Sequence, residues 1–206
     1  MNPVAKSPIR VTGSSTVVHG WEVSNRQSSA ALRLSDVTPL AKVLIKSDAH
    51  SRFAASHPIA FGQVRVLFEG VLEIGCDPGA WLLVGSVGTA LDLVATATTS
   101  TADVGEFISV IDITHGRAMM RLSGVDSPRL LNKICAIDLS DSVTPNHSAF
   151  RSSVAKLVTD VIRDDLADST RSYLIHCERS SGQHLFDCIL DAGIEFGIDV
   201  DGAVLS

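Results

Sequence analysis

Alternating side-chain character predicts a strand near the middle of the chain, in residues 117–122. Successive side chains of a strand point to opposite faces, so a period of two indicates a strand with one buried face. Gly116 permits a bend before this strand, and Gly124 closes it. The alternating residues are Arg117, Met119 and Arg121 on one face and Ala118, Met120 and Leu122 on the other.

The pattern around this strand has a weaker counterpart earlier in the chain. The apolar run at 81–84 predicts a strand that is buried on both faces. The threonine-rich residues 96–101 form helices poorly and are expected to be a joint. The other elements predicted before this joint are strands at 42–47 and 64–69 and helices at 48–56 and near 91–95.

After the joint the same order of elements recurs. Strands are expected at 113–123, 154–162 and 172–177. Ser127-Pro128 opens one helix, with serine as its cap and proline at the first position. Gly182 leads into a second helix, which has an amphipathic pattern.

The recurrence indicates an internal duplication. Asp36-Val37-Thr38 precedes the first strand of one unit as Asp112-Ile113-Thr114 precedes that of the other, and residues 81–84 resemble 173–176. The predicted fold class is α+β, with duplicated strand–helix–strand–strand–helix units whose mostly antiparallel sheets are flanked by helices.

The predicted domain organisation has two parts. Residues 31–206 form a single pseudo-symmetric domain, with halves at about 31–100 and 105–200, and residues 1–30 form a polar N-terminal arm. The arm is serine-rich and has no sustained period, which predicts poor order in isolation. Trp21 is a large apolar ring that docks either on its own domain or on another chain. We expect the arm to order on a partner, with Trp21 as the anchor.

Composition and charge limit the function classes. The 206 residues are 45% hydrophobic and 19% charged, which favours a globular chain over a disordered one. The net charge of −6 argues against a nucleic-acid or anionic-membrane surface. There is no apolar signal region, and no run approaches the roughly twenty apolar residues that span a bilayer. We therefore expect a soluble, cytoplasmic protein with no nucleic-acid or membrane partner.

The four cysteines are scattered and form no Cys-x-x-Cys pair. Such cysteines usually act as small core hydrophobes in a reducing compartment, so neither a disulfide framework nor a zinc site is expected. The four residues are Cys76, Cys135, Cys177 and Cys188.

Asp112, His115 and Arg117 are the first candidates for acid–base chemistry. On an extended segment His115 and Arg117 share one face, whereas Asp112 points to the other, which weakens a concerted role. The favoured interpretation is that Asp112 and Thr114 organise the strand entry by local hydrogen bonds.

Three further groups contain residues that could act as nucleophiles, metal ligands or anion-binding groups, but we interpret them as structural. His176 and Cys177 are adjacent in a strand and point to opposite faces, so Cys177 is predicted to be a buried structural thiol. A metal role for His184 is not expected. Ser180-Ser181-Gly182 is interpreted as a helix cap rather than an anion site. No dinucleotide, phosphate or nucleophile-elbow motif occurs, so neither flavin nor nicotinamide is expected on this chain.

Short motifs recur in a fixed order along the chain, at 34–37, 78–84, 112–117, 121–124, 130–139, 151–156, 173–177 and 181–183. In this order they resemble the gamma subunit of heterotetrameric sarcosine oxidase. The resemblance covers most of residues 32–196 and is strongest after Ser109.

This resemblance implies a subunit of an αβγδ enzyme that oxidises N-methylglycine to glycine, with a fold like that of the folate-binding aminomethyltransferases. It implies alpha, beta and delta subunits as partners. FAD and FMN are expected at beta and its interface with alpha, NAD and tetrahydrofolate in alpha, and zinc in delta. No catalytic, cofactor-binding or metal residue carries over to this chain, which implies a structural and assembly role.

The alternative is a free-standing folate-dependent aminomethyltransferase-like carrier or folate-binding protein. That family uses a buried carboxylate on folate, and Asp112 is the one candidate that the sequence offers for it.

Overall fold

The computed structural model describes residues 3–202, and the ends of the predicted arm and domain, residues 1–2 and 203–206, lie outside this part. No helix in the described part is both long and apolar enough to cross a bilayer. The strands are β1 (Ala5–Lys6), β2 (Ser15–Val18), β3 (Trp21–Ser24), β4 (Arg33–Asp36), β5 (Ala41–Lys46), β6 (Val64–Val66), β7 (Leu72–Asp77), β8 (Ala80–Gly85), β9 (Ser109–Asp112), β10 (Arg117–Ser123), β11 (Ala149–Val154), β12 (Leu157–Arg163), β13 (Ser172–Glu178) and β14 (Asp199–Asp201). The helices are α1 (Arg52–Ser56), α2 (Ala90–Thr101), α3 (Ser127–Leu131) and α4 (Gly182–Gly193).

Two large sheets pack face to face between two layers of helix. Sheet I has the strand order β6-β7-β8-β5-β9, and sheet II has the order β11-β12-β13-β10-β4-β14. One apolar cluster lies between sheet I and the helices α1 and α2, a second between the sheets, and a third between sheet II and the helices α3 and α4. Within these two sheets only the β4–β14 pair is parallel. The predicted α+β class with mostly antiparallel sheets is confirmed.

The two sheets repeat one strand order with an exchange at the border. β6, β7, β8 and β5 take the same relative places as β11, β12, β13 and β10. The fifth place comes from the other half of the chain, since β9 borders β5 and β4 borders β10. Each half thus contributes one strand to the sheet of the other. That the halves at about 31–100 and 105–200 fold together stays a prediction.

Matching hydrogen bonds fix the two points where the chain changes sheets. Asp36 Oδ1 accepts a hydrogen bond from Thr38 N at 3.0 Å, and Asp112 Oδ1 accepts one from Thr114 N at 2.8 Å. Each threonine hydroxyl then accepts a backbone N–H of the adjoining strand, at 3.1 and 3.0 Å. The local hydrogen-bonding role predicted for Asp112 and Thr114 is confirmed.

Residues 96–101 are helical, so their prediction as a joint is wrong. They form the second half of α2, whose residues Leu93 and Ala97 are buried against sheet I. The hydroxyls of Ser100 and Thr101 each donate to the Ala97 carbonyl oxygen at 2.9 Å, which satisfies them within the helix. Packing of the apolar face outweighs the weak helix propensity of threonine.

Two strand predictions merged elements that the structure separates. The strand expected at 113–123 begins with a helical turn at Thr114–Gly116, and only its second part is a strand, β10. The strand expected at 154–162 contains the end of β11, the hairpin turn at Ala155 and Lys156, and most of β12. In addition, β7 was not predicted as a strand. Hairpin turns without glycine or asparagine leave no clear signal in the sequence.

The β11–β12 hairpin turns at Ala155 and Lys156, which both have positive φ, 48° and 67°. Positive φ at two central residues matches the twist of a hairpin but is strained for residues with a Cβ atom. We expect Ala155→Asn combined with Lys156→Gly to raise the free energy of unfolding by about 1 kcal/mol. Urea denaturation tests this, with an unchanged m value expected. Lys156→Ala, which removes the charge but keeps the Cβ atom, is the control and should bring no gain.

The N-terminal residues form a third, small sheet with the order β1-β3-β2. Trp21 in β3 is only 5% exposed and joins the cluster between the two large sheets. Its ring stacks on His115 with centroids 4.6 Å apart and planes inclined by 13°. The expectation of an irregular arm that needs a partner to dock Trp21 is wrong, because this ring packs against its own chain.

Candidate functional site

The three residues of the first predicted cluster point to different partners. The Asp112 carboxylate is exposed and bonds the backbone of Thr114 at 2.8 Å. His115 stacks on Trp21, and Arg117 Nη1 lies 2.7 Å from Glu178 Oε1. No acid–base cluster forms here. Asp112 also fails as the buried carboxylate that a folate carrier requires.

His176 and Cys177 lie on opposite faces of β13, as predicted. Cys177 belongs to the apolar cluster under α4, where burial raises the pKa of its thiol to about 11. All four cysteines are free. His184 on α4 has Cys188 one turn away, with Nε2 3.6 Å from Sγ, a pairing that sequence analysis overlooked. No group of three potential metal ligands occurs within residues 3–202.

Ser181 precedes α4, but its side chain makes no capping hydrogen bond. The helix begins instead from a helical turn at Arg179–Ser181. The predicted side-chain cap is therefore wrong, although the helix starts at Gly182 as expected.

Polar side chains that sequence analysis did not connect converge between the sheets. We call this site the polar cleft. It is a cavity of about 160 Å³ at one end of the layer between sheet I and sheet II. The residues that define it are Cys76, Arg117, Arg151, Asp160 and His176.

Asp160 is the buried carboxylate of the polar cleft. Arg151 Nε donates to Asp160 Oδ1 at 2.7 Å and Nη2 donates to Oδ2 at 3.2 Å, a two-point contact that fixes the guanidinium plane. Arg151 also reaches Asp77 at 3.0 Å. The carboxylate oxygens of Asp160 are therefore engaged by a guanidinium whose orientation is fixed.

His176 lies opposite Asp160 on the neighbouring strand and is 3% exposed. Its Nε2 is 3.5 Å from Asp160 Oδ2, and neither ring nitrogen has a hydrogen-bond partner among residues 3–202. Burial outweighs the attraction of Asp160 and lowers the pKa of His176 to about 4. The neutral imidazole offers one donor and one acceptor towards the cleft.

The polar cleft contains no activated nucleophile. Cys76 is its thiol, and burial, reinforced by the nearby Asp160 carboxylate, raises the pKa of Cys76 to about 12. A thiol that stays protonated at neutral pH is a poor nucleophile and a poor metal ligand. The site can hold a small polar group, and neither the Cys76 thiol nor the His176 imidazole has a pKa near neutral pH.

Four of the five residues that define the cleft are polar where the other half of the chain has apolar residues. Strand pairing gives these four a counterpart in the other half, at the opposite end of the layer between the sheets, whereas Cys76 lies at a register shift between β7 and β8. At that opposite end a cavity of about 440 Å³ is lined by these counterparts and also by an ion pair, Arg121 Nη2 to Asp164 Oδ2 at 2.7 Å. The counterparts of Arg117, Arg151, Asp160 and His176 are Leu40, Val66, Leu72 and Val84, in that order.

Comparisons with known proteins support the fold but give no family. No known family profile matches the sequence, and no curated protein matches it. Among solved structures, a chain of the heterotetrameric sarcosine oxidase from Corynebacterium sp. U-96, in complex with pyrrole 2-carboxylate, superposes with a TM-score of 0.68 at 22% identity. The aminomethyltransferase T of the glycine cleavage system from Bartonella henselae superposes with a TM-score of 0.71 at 13% identity. This chain shares their fold.

The two matches differ in how much of each protein is covered. The match with the sarcosine oxidase chain covers 84% of this chain and 89% of that one. The match with aminomethyltransferase T covers 92% of this chain but only 55% of the transferase. The chain thus spans nearly the whole of one relative and about half of the other.

Proposed function

We propose that this chain is the gamma subunit of a heterotetrameric sarcosine oxidase complex, which converts sarcosine to glycine by oxidative demethylation. The observation that carries this proposal is the near-complete mutual coverage with a chain of a heterotetrameric sarcosine oxidase, 84% and 89%. The short motifs of residues 112–117 and 173–177 support the assignment to gamma. Alpha, beta and delta subunits are then its partners.

In this proposal the chain has a structural role and holds no cofactor of its own. FAD, FMN, NAD, tetrahydrofolate and zinc belong to the other subunits. For the polar cleft itself, size supports this view, because its volume of about 160 Å³ is roughly half the lower limit of small-molecule pockets, ~300 Å³. Its carboxylate is neutralised by Arg151, and its thiol is kept protonated by burial.

Affinity purification of the tagged full-length chain from its source organism tests the proposal. We expect three further chains in equal amounts, a yellow flavin absorbance and sarcosine-dependent oxygen consumption. Recovery of the chain alone, colourless and without oxidase activity, would contradict the assignment.

A folate-binding carrier is the second candidate, favoured by the buried Asp160 carboxylate beside His176. A folate carrier predicts that the isolated chain binds tetrahydrofolate and that Asp160→Asn weakens this binding at least about tenfold, as loss of a charge-assisted hydrogen bond implies. Isothermal titration calorimetry with the purified chain distinguishes the two candidates. The subunit proposal predicts no heat of tetrahydrofolate binding, either for the wild-type chain or for Asp160→Asn.

A further inference from the structure

A second cavity lies on the opposite face of sheet I from the polar cleft. It has a volume of about 340 Å³ and lies between α2 and the strands β6, β7 and β8. We call it the outer cavity. This volume falls within the range of small-molecule pockets, ~300–1,000 Å³. Apolar side chains form most of its wall, among them Phe53, Phe68, Leu83 and Leu93.

One charged pair interrupts this apolar wall. Glu73 is 4% exposed, and its Oε2 accepts a hydrogen bond from Arg65 Nε at 2.8 Å and forms an ion pair with Arg65 Nη2 at 2.5 Å. His57 Nε2 lies 3.1 Å from Glu73 Oε1. Burial opposes ionisation of Glu73, but the hydrogen bonds from His57 and Arg65 outweigh it and lower the pKa of the carboxyl. A charged pair on an otherwise apolar face costs desolvation energy that apolar residues avoid.

The other half of the chain shows what a purely structural version of this face looks like. Strand pairing matches Glu73 with Val161 and Arg65 with Phe150. Both counterparts pack in the apolar core under α4. The ion pair of the outer cavity therefore replaces an aromatic and a branched side chain at corresponding places in the same sheet.

The helix above the outer cavity, α2, also carries a smaller buried side chain than its counterpart α4 in the other half. Leu93 and Ala97 are the buried residues of α2, and Leu185 and Ile189 are buried at the corresponding places of α4. Alanine in place of isoleucine removes volume directly above sheet I. The connection from β10 to β11 also supplies buried Cys135 and Leu139, whereas the connection from β5 to β6 is shorter. Space is thus left open where the other half is filled.

We propose that the outer cavity binds a small amphipathic anion, with its apolar body between α2 and sheet I and its acid group at Arg65. Arg65 turns Nε and Nη2 towards Glu73, and its Nη1 makes no hydrogen bond within residues 3–202, which leaves two N–H donors for a ligand. The Arg65 side chain is part-exposed at the cavity wall. A planar guanidinium with free donors recognises a carboxylate or sulfonate. This ligand site is separate from the proposed subunit function and does not depend on it.

Anilinonaphthalene sulfonate, an apolar fluorophore with one anionic group, serves as the probe for the full-length chain. We expect saturable fluorescence enhancement, displaced by decanoate and more weakly by decanol. Ala97→Ile introduces the residue that the other half carries and should weaken probe binding at least about tenfold, equivalent to ~1.4 kcal/mol. Thr98→Ile adds the same bulk on the exposed side of α2 and should leave binding unchanged.

The double variant Arg65→Phe with Glu73→Val tests the polar end and copies the residues of the other half. We expect it to abolish the preference for decanoate over decanol while the chain still unfolds cooperatively in urea. The proposal is overturned by absence of saturable binding to the wild type, by equal binding to wild type and Ala97→Ile, or by a preference for decanoate that survives the double variant. If Ala97→Ile unfolds, the double variant decides.

Discussion

Replacing Trp21 by alanine is expected to lower the free energy of unfolding of the isolated chain by about 3–5 kcal/mol, the usual cost of deleting a buried tryptophan side chain. The ring is 5% exposed, packs in the cluster between the two large sheets and stacks on His115. A loss of this size is a large share of the ~5–15 kcal/mol that stabilises a typical domain. The variant should therefore unfold at a much lower urea concentration.

Urea denaturation followed by circular dichroism measures this loss. Val17→Ala is the matched control, because Val17 lies in the neighbouring strand of the same small sheet but is exposed. The control should remain within about 0.5 kcal/mol of the wild type. Equal stability of Trp21→Ala and wild type would show that residues 3–24 dock elsewhere and that Trp21 is available for a partner.

Replacing Lys42 by methionine is expected to raise stability near neutral pH by about 2 kcal/mol. Lys42 is 0% exposed in β5, and its Nζ donates to the carbonyl oxygens of Thr38 and Leu40 at 2.7 and 2.6 Å. Burial lowers the pKa of Lys42 to about 7, although Asp36 and Asp112 attract its charge while Arg179 repels it. Removing the buried charge is the source of the gain. Loss of the two hydrogen bonds to Thr38 and Leu40 offsets it by ~1–3 kcal/mol. Met119 occupies the corresponding place of β10 and is equally buried.

The pH dependence of stability is the sharper test of Lys42. The folded chain loses the Lys42 proton above about pH 7, whereas the unfolded chain keeps it up to about pH 10.5. The unfolded state binds more protons in this window, so the Lys42 contribution to stability rises with pH there, by at most ~1.4 kcal/mol per pH unit. Below pH 7 both states carry the proton, and the full burial penalty, on the order of 5 kcal/mol, is present.

The test is the difference in unfolding free energy between Lys42→Met and wild type, measured from pH 6 to pH 10. Titration of the buried cysteines affects both proteins equally and therefore cancels in this difference. We expect an advantage of the variant at low pH that declines steadily above pH 7. Lys46→Met is the control, because Lys46 is exposed at the end of the same strand. A difference that stays constant over this range would mean that Lys42 is not held as a neutral amine.

The hydrophobic pattern was sufficient for the fold class and for the elements with the strongest patterns. The apolar run at 81–84 and the amphipathic pattern after Gly182 correspond to β8 and α4. The paired motifs Asp36-Val37-Thr38 and Asp112-Ile113-Thr114 correctly indicated a duplication, because each makes the same turn and the same hydrogen bonds. Such features depend on nearby residues and are therefore visible in the sequence.

Features that depend on distant contacts were not visible. Residues 96–101 are helical because sheet I covers one face of α2, a contact that no local propensity reports. The small N-terminal sheet exists because Trp21 finds a site next to His115, far away in the chain. The polar cleft combines Arg151, Asp160 and His176 from three strands, and only the strand register shows that their side chains meet. A single buried-polar signal, Asp160 within a β-branched run, was present but was not interpreted.

This chain has its proposed place in a heterotetrameric sarcosine oxidase complex, and within the chain β4 and β9 each complete the sheet of the other half. Native mass spectrometry of the complex purified from the source organism tests this role most directly. The account predicts a particle of four different chains that contains a single copy of this 21.8 kDa chain, with the flavins retained by the other subunits. A chain found only as a free monomer, or only as assemblies of itself, would contradict it.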